Sequence, residues 1–307
     1  MKKVRFYMES HKSGASKILA FMSVFFWGIS FLFTKMGFKY YKDPVTLAVL
    51  RYVFSFFTLI VFIFIKKIKL PHAKDGLMFF ISGFSGFTVY MIAFNKAVST
   101  LSSATASILL ACSPIITALL SWIFLKERIN IYCWISIFIS FTGILVLTLW
   151  EGVLSFNAGV FWMLFASTAL AIYNIIQKKF VEKYSASEAT TFSLLAGTIL
   201  IVLYSPKSLL EIPKMNFESF FIILCLSLMA SVLASLFWTK SLSLAETTSE
   251  IVNFMFLMPF IAAIAGIVFL DEKLTLATII GGIIILAGIV GFNRFKDTKE
   301  VKHIKIR

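Results

Sequence analysis

Ten long apolar runs, separated by short charged or turn-rich joints, dominate the sequence. A helix of about 20 apolar residues crosses the hydrocarbon core of a bilayer. The runs therefore predict an all-α integral membrane protein with ten transmembrane helices. The predicted spans are 18–37, 44–65, 76–97, 102–125, 131–149, 156–177, 187–204, 217–238, 247–270 and 275–292.

The composition excludes several other classes of protein. Only 14% of the residues are charged, against about 25% in soluble domains. The net charge of +14 does not indicate a nucleic-acid partner, because 35 Phe and the apolar runs leave no basic hydrophilic face. Cys112, Cys133 and Cys225 lie inside apolar runs, so we expect no disulfide, no metal and no cofactor.

The distribution of Lys and Arg predicts the orientation in the membrane. In the ten-span topology, about 21 of the 29 cations lie on the side of the N-terminus and about 7 on the other side. Cytoplasmic loops carry such an excess. We therefore expect a multi-pass protein of the cell inner (plasma) membrane with both termini in the cytoplasm. The joint that carries Lys35, Lys39 and Lys42 is the main exception.

The chain contains an internal repeat. Segment 114–130, PIITALLSWIFLKERIN, aligns without gaps on segment 259–275, PFIAAIAGIVFLDEKLT, with six identities that include Pro114/Pro259 and Glu127/Glu272. This predicts two five-helix repeats, 18–149 and 156–292, between a cytoplasmic N-terminal tail, 1–17, and a basic cytoplasmic C-terminal tail, 293–307. Because five is odd, the repeats have inverted topology, which is characteristic of secondary transporters.

Pro114 and Pro259 fall near the middle of the fourth and ninth spans. Each lacks an N–H and is expected to kink its helix by freeing the carbonyl four residues earlier. Two roles stay open for the pair: a gating bend beside the substrate, or a fixed kink needed for packing.

A few polar residues lie in or beside the spans. Arg51 is the one cation well inside a span, with either a functional role or a snorkelling side chain. Glu246 and Glu250, where the ninth span begins, either reach a cavity or form a solvated helix start. Asn130 and Thr275 are typical N-caps. The glycines of the tenth span indicate a helix-packing or dimer face, and they are Gly281, Gly282, Gly288 and Gly291.

Motifs of enzymes are missing from the sequence. No HExxH, Walker A or GxSxG motif occurs, and His11, His72 and His303 lie in tails or a loop. The chain is therefore not expected to be an enzyme or to use ATP. An intramembrane enzyme is kept as the alternative from a different class.

These features together resemble the drug/metabolite transporter superfamily, in its EamA-type branch, over about Ile18 to Phe292. The residues that carry the resemblance are Trp27-Gly28, Lys35, Arg51, Lys96-Ala97, Pro114 with Glu127, Pro259 with Glu272, Gly143 and Gly288. The sequence departs from the family at Lys126 and Asp271, where a glycine is usual, and Leu195 is the second-half counterpart of Arg51.

The resemblance implies a central cavity between the two repeats and a small metabolite as the substrate. Carried over to this chain, it implies Trp27, Ser30, Tyr90, Phe94, Ser107, Tyr173, Trp238 and Asn253 as lining residues. Asn174 joins them as a hydrogen-bonding side chain on the sixth span.

The sequence thus predicts a secondary transporter, an exporter of small metabolites such as amino acids that works by alternating access. An importer or exchanger of nucleotide-like or sugar-like metabolites is the alternative within the same fold. The expected partners are the substrate and the lipid bilayer, and the expected state is a monomer or weak homodimer.

Overall fold

The computed structural model describes residues 2–125, 129–149, 158–180, 183–244 and 253–304, and these ranges contain helices and short connections but no strand. The helices are α1 (Lys2–Gly37), α2 (Pro44–Lys66), α3 (Gly76–Gly83, Phe84–Val89 and Tyr90–Val98 in succession), α4 (Ser103–Leu110), α5 (Ser113–Leu125), α6 (Ile131–Leu149), α7 (Ala158–Phe180), α8 (Ala186–Tyr204), α9 (Phe217–Cys225, Leu226–Leu233 and Ala234–Leu244 in succession), α10 (Leu257–Leu270) and α11 (Leu276–Ile304). Short 3₁₀ turns cover Ala73–Asp75, Pro206–Lys214 and Asn253–Phe256.

Most of these helices are long and apolar enough for a bilayer. Within the described ranges, seven stretches meet that requirement: Gly14–Gly37, Pro44–Lys66, Ala73–Val98, Ser103–Leu120, Ala158–Gln177, Ser187–Tyr204 and Phe217–Ser241. Three shorter apolar helices of 10–17 residues accompany them: Ile131–Val146, Leu257–Leu270 and Leu276–Phe292. The chain is therefore an all-helical protein built for a membrane.

Polar side chains fix several helix starts. Asp43 accepts from the backbone N–H groups of Val45 and Thr46 at 3.2 and 3.0 Å, and Pro44 follows it at the first helical position of α2. The predicted N-caps are confirmed, because Asn130 accepts from the N–H of Cys133 at 2.8 Å and Thr275 from the N–H of Thr278 at 3.2 Å.

Successive spans run in alternating directions, with α4 and α5 as the two parts of one span, so that the bundle has two ends. At the Lys35 end, where α1 and α3 finish, Tyr40 donates to Glu218 and the hydroxyls of Thr46 and Ser208 are 3.2 Å apart. At the Asp75 end, where α3 begins, Asp75 accepts from Lys183 and Tyr184. The Asp75 carboxylate raises the pKa of Lys183 through this hydrogen bond.

The fourth predicted span is broken. Helix α4 ends at Leu110, a turn follows at 111–112, and α5 begins at Ser113. Pro114 is the second residue of α5 and Pro259 the third of α10. The structure thus places Pro114 in the first turn of a helix, where backbone N–H groups lack an intrahelical partner and the missing N–H costs little, and not inside a continuous kinked helix. Pro259 differs, because the 3₁₀ turn Asn253–Phe256 joins α10 directly and helical chain continues on both sides of it.

Glycines bring α6 and α11 into close contact. A Cβ atom at Gly288 would lie 2.2 Å from Oγ of Ser140 and 2.7 Å from the carbonyl oxygen of Ser136. A Cβ atom at Gly143 would lie 2.7 Å from Cγ1 of Ile285. Of the two roles expected for the glycines of the tenth span, Gly288 therefore serves helix packing within the chain.

Helices α3 and α8 touch through a second pair of glycines, which gives a first prediction. A Cβ atom at Gly83 would lie 2.5 Å from the backbone nitrogen of Gly197, and nothing lies within 4 Å of one at Gly76. We expect Gly83→Ala to lower the stability by about 1–3 kcal/mol, because backbone cannot yield as a side chain can. Gly76→Ala, also in α3, is the control. Thermal unfolding in detergent measures both, and equal midpoints would contradict this packing.

Candidate functional site

Arg51 lies in the interior of the bundle. It is in α2, only 6% exposed, and its Nε donates to Oγ of Ser231 at 2.7 Å. Its Nη1 is 3.8 Å from Sδ of Met91. Among the described residues, no Asp or Glu forms an ion pair with it. A buried cation with only neutral neighbours is costly in a membrane protein and commonly marks a functional position.

The backbone of Arg51 joins α2 to α9. The carbonyl oxygen of Arg51 accepts from Oγ of Ser55 and from Oγ of Ser227, each at 2.8 Å. The first hydroxyl lies on the same helix and the second on α9. Oγ of Ser227 is also 2.7 Å from the carbonyl oxygen of Ile223 in its own helix. Its single proton serves one of the two carbonyls at a time, so the contact with Arg51 is one of two alternatives.

Two π-helical segments flank Arg51. They are Leu226–Leu233 of α9, which contains Ser231, and Phe84–Val89 of α3, which ends two residues before Met91. Upstream of Pro114 and Pro259 the repeat continues with one deletion, which aligns Lys96-Ala97 on Lys240-Ser241 at an offset of 144. This offset relates the third span to the eighth and places the two segments at corresponding positions. π-helical turns are rare and occur frequently at functional sites.

An aromatic side chain covers each π-helical segment. Nε1 of Trp27 donates to the carbonyl oxygen of Ala230 at 3.0 Å. In an α-helix the N–H of Ala234 would donate to this carbonyl, four residues earlier. Here it donates to the carbonyl oxygen of Met229, five residues earlier, and the carbonyl of Ala230 is free for the indole. On the other segment, a Cβ atom at Gly86 would lie 2.2 Å from the ring of Tyr173.

The predicted aromatic residues form three groups. Trp27 and Trp238 lie side by side, with ring centroids 5.3 Å apart. Tyr90 contacts Phe94 at 5.7 Å, and Phe94 contacts Phe31 of α1 at 5.2 Å. Tyr173 reaches the bundle interior through Phe87, 5.2 Å away, and Phe87 contacts Tyr52 at 5.9 Å.

The predicted polar residues are less concentrated. Ser30 and Ser107 are buried, but each hydroxyl donates to a backbone carbonyl of its own helix. Oγ of Ser30 donates to the carbonyl of Trp27 at 2.7 Å, and Oγ of Ser107 to that of Ala104 at 2.8 Å. Asn174 directly follows Tyr173 in α7 and has an exposed side chain. Asn253 begins a 3₁₀ turn, and its side chain lies outside the described part of the structure, as do Glu127, Glu246 and Glu250 entirely.

Two buried polar groups were not in the predicted site. Oγ1 of Thr34 in α1 and Nδ2 of Asn95 in α3 have no hydrogen-bond partner among the described residues, although both residues are at most 1% exposed. Phe31 and Phe94, near them in sequence, are in contact. Because a buried polar group without a partner is expensive, this level of the bundle offers unused hydrogen bonds to a solute.

A bundle of apolar helices around a buried arginine, aromatic rings and unused polar groups is typical of a multi-pass membrane protein that handles a polar solute. Comparison with known proteins agrees. The model of the EamA-like transporter family matches residues 15–149 and 157–294. The chain belongs to the EamA-like transporter family. It is therefore a multi-pass transporter that works in a lipid bilayer on a small-molecule substrate.

Individual relatives are similar over most of their length. The chain is 27% identical to the uncharacterized transporter YdfC of Bacillus subtilis, over 86% of each chain. It is 30% identical to an uncharacterized transporter of Archaeoglobus fulgidus, over 89% of this chain and 95% of that one. A probable terminal-alkyne amino-acid exporter of Streptantibioticus cattleyicolor is 24% identical over 74% and 76%.

One solved crystal structure shares the fold. It superposes with a TM-score of 0.62 over 91% of this chain and 96% of that one, at 15% sequence identity. At this identity the likeness shows the fold alone.

The contact between Arg51 and Ser231 gives a second prediction. Ser231→Ala removes the partner of a buried guanidinium Nε, and we expect it to cost about 1–3 kcal/mol of stability. Ser85→Ala is the matched control, because Ser85 is also buried in a π-helical segment but donates within its own helix, to Ser82 at 3.3 Å. Thermal unfolding in detergent compares the two. A Ser85 variant that is the less stable one would contradict the role given to Ser231.

Proposed function

We propose that this chain is a secondary transporter that exports small metabolites such as amino acids by alternating access. Ten helices cross the inner membrane as two inverted repeats, 18–149 and 156–292, with 1–17 and 293–307 as cytoplasmic tails. The alternating helix directions support this arrangement. The Lys/Arg bias assigns the Asp75 end to the cytoplasm, and a monomer or weak homodimer is the expected state.

One observation carries the proposal: Arg51 is buried between two π-helical segments at corresponding positions of the repeats, and no carboxylate of the described residues pairs with it. A carboxylate on the solute would supply the missing counter-charge, at a depth where the charge is expensive to leave alone. Inverted repeats around a site near the midplane are the usual plan of secondary transporters. A transporter built in this way needs no catalytic cluster.

The binding site that we propose combines this charge with aromatic surfaces. The members that support it best are Trp27, Tyr90, Phe94, Tyr173 and Trp238, which lie beside the π-helical segments or in contact with Phe31. Ser30, Ser107 and Asn253 are further members from the family resemblance. Asn95 and Thr34 add unused hydrogen bonds. Asn174, being exposed, stays outside the proposed site.

Such a site favours a zwitterionic or singly charged carboxylic acid with an apolar side chain. The carboxylate pairs with the guanidinium and the side chain lies against the rings. The relative named as a probable terminal-alkyne amino-acid exporter supports the same choice. Pro114, beside the break between α4 and α5, and Pro259, beside the junction of a 3₁₀ turn with α10, are the points at which we propose that the two spans bend during the cycle.

The substrate class gives a third prediction. We expect Arg51→Met to insert but to transport a carboxylate substrate at least about tenfold more slowly, because a lost charge-assisted bond is worth about 1.5–3 kcal/mol. Phe57→Ala in the same helix, at a 64% exposed position, should transport normally. Flux from liposomes preloaded with a panel of amino acids, organic acids, sugars and nucleotides measures both.

Two results would go against the proposal. If the wild-type protein releases sugars or nucleotides but no carboxylic acid of the panel, the substrate class is wrong. If Arg51→Met transports as the wild type does, Arg51 does not bind the solute.

The orientation gives a fourth prediction. A cysteine that replaces exposed Lys207 at the Lys35 end should react in intact cells with an impermeant thiol reagent, and one that replaces exposed Lys69 at the Asp75 end should not. The parent protein, with its native cysteines, measures the background. The reverse pattern would overturn the cytoplasmic assignment of both termini.

A further inference from the structure

At the Lys35 end, one carboxylate joins three helices. Oε1 of Glu272, which follows α10, is 3.2 Å from Nζ of Lys35 at the end of α1. The same oxygen accepts from Oγ of Ser103 at 3.1 Å, and Oε2 accepts from the N–H of Ser103 at 2.8 Å. Ser103 is the first residue of α4. We call Lys35, Ser103 and Glu272 the end triad.

Glu272 is fixed to α10. The chain leaves α10 through Asp271 in the left-handed region, at φ 54°, and the N–H of Glu272 then donates back to the carbonyl oxygen of Gly266 at 3.1 Å. A Cβ atom at Gly266 would lie 2.3 Å from Oε2, so the glycine provides the space for the carboxylate. The carboxylate therefore moves with α10, and its partners belong to α1 and α4.

The triad has a favourable geometry for binding across helices. The N–H of Ser103 is one of the groups that a helix start leaves without a partner, and a carboxylate there also faces the positive end of α4. The lysine adds a charge-assisted contact. Glu272 thus caps a helix 169 residues away in the sequence, instead of closing only its own turn.

The end triad is also able to separate, because its charged groups are partly exposed. The side chains of Lys35 and Glu272 are 22% and 14% exposed, so water reaches both charges. When the helices move apart, water can solvate the two ions and the N–H of Ser103. Arg51, at 6%, has no such access. The triad therefore stabilises the closed end. When the end opens, hydration of the separated groups offsets the loss of these contacts.

Unpartnered polar groups lie just inside the triad. Thr34, whose Oγ1 has no partner, directly precedes Lys35 and is fully buried. Asn95, also without a partner at Nδ2, lies in the last turns of α3, near the same end. Opening the triad would expose these groups to water from the Lys35 end.

We propose that the end triad is the gate of the Lys35 end, closed in this structure and broken whenever that end opens. This inference rests on the alternating access proposed above. It adds which contacts close one side and predicts that their loss shifts the protein toward the state open at that side.

The test measures accessibility and needs no substrate. Thr34→Cys is the reporter, and a membrane-impermeant maleimide is applied from each face, in right-side-out and inside-out vesicles. The same protein without the reporter gives the background of the native cysteines. We expect Glu272→Gln and, independently, Lys35→Met to raise the rate of labelling from the face at the Lys35 end about tenfold, which corresponds to about 1.4 kcal/mol.

Two matched variants accompany them. Lys35→Arg keeps the charge and should label as slowly as the parent reporter. Lys214→Met breaks another ion pair at the same end, to Glu211 at 2.8 Å, which is exposed and lies within a single segment. It should leave the labelling rate unchanged.

The outcomes separate the proposals. Unchanged labelling in both triad variants overturns the gate. So does failure of both to insert when Lys214→Met inserts, because the triad is then a permanent structural link. Faster labelling only from the cytoplasmic face supports the gate and overturns the orientation. If the triad variants are labelled faster but the protein transports nothing in the panel, the gate is supported and only the proposed substrate class is wrong.

Discussion

In a bilayer, every backbone N–H and carbonyl must find a partner inside the protein, and the rest of this structure depends on that constraint. Regular helices satisfy it at once. The informative places are those where the helix is irregular, because another group must then replace the missing bond. At the break between α4 and α5, Ser167 of α7 lies close to both sides, with its Oγ 3.4 Å from the carbonyl oxygen of Leu109 and its own carbonyl 3.4 Å from Oγ of Ser113.

The same substitution of partners occurs in α9. The π-helical segment frees the carbonyl of Ala230, and the indole of Trp27 takes it. Serine hydroxyls supply most other links at this depth, as Ser55 and Ser227 do at Arg51. The bundle interior is thus held by neutral hydrogen bonds and close packing, and the ion pairs that the structure describes lie at the two ends of the helices. Arg51 is the exception, because it places a charged group in this interior.

The sequence allowed much of the fold to be predicted, because its signals are local. Apolar length located the helices, and Asn130 and Thr275 marked two starts through bonds that span three residues. Family membership followed from motifs in their order and was confirmed by the family model. The ends of α1 and α11 extend beyond the predicted spans, since the basic tails contain no residue that stops a helix before the apolar run or after it.

The site was harder to predict, because its contacts are not local. A π-helical turn has no required residue type, so nothing in the sequence announced the segments beside Arg51. Asn174 was predicted from its amide, and the structure gives its side chain as exposed in α7. Glu272 was identified only through the repeat and the resemblance, because its binding to Ser103, 169 residues away, depends on tertiary packing. Asn95 lies near the end of a predicted span, where polar residues are common. Its burial without a partner among the described residues depends on its neighbours in the fold.

The corresponding positions of the two π-helical segments have a consequence for the symmetry of the site. A π-helical turn accommodates one residue more than an α-helical turn. Both halves of the chain contain such a segment, one in α3 and one in α9, but Arg51 has Leu195 as its counterpart in the other half. The two halves therefore share the irregular backbone and differ in charge, so that the positive charge at this level comes from one half alone.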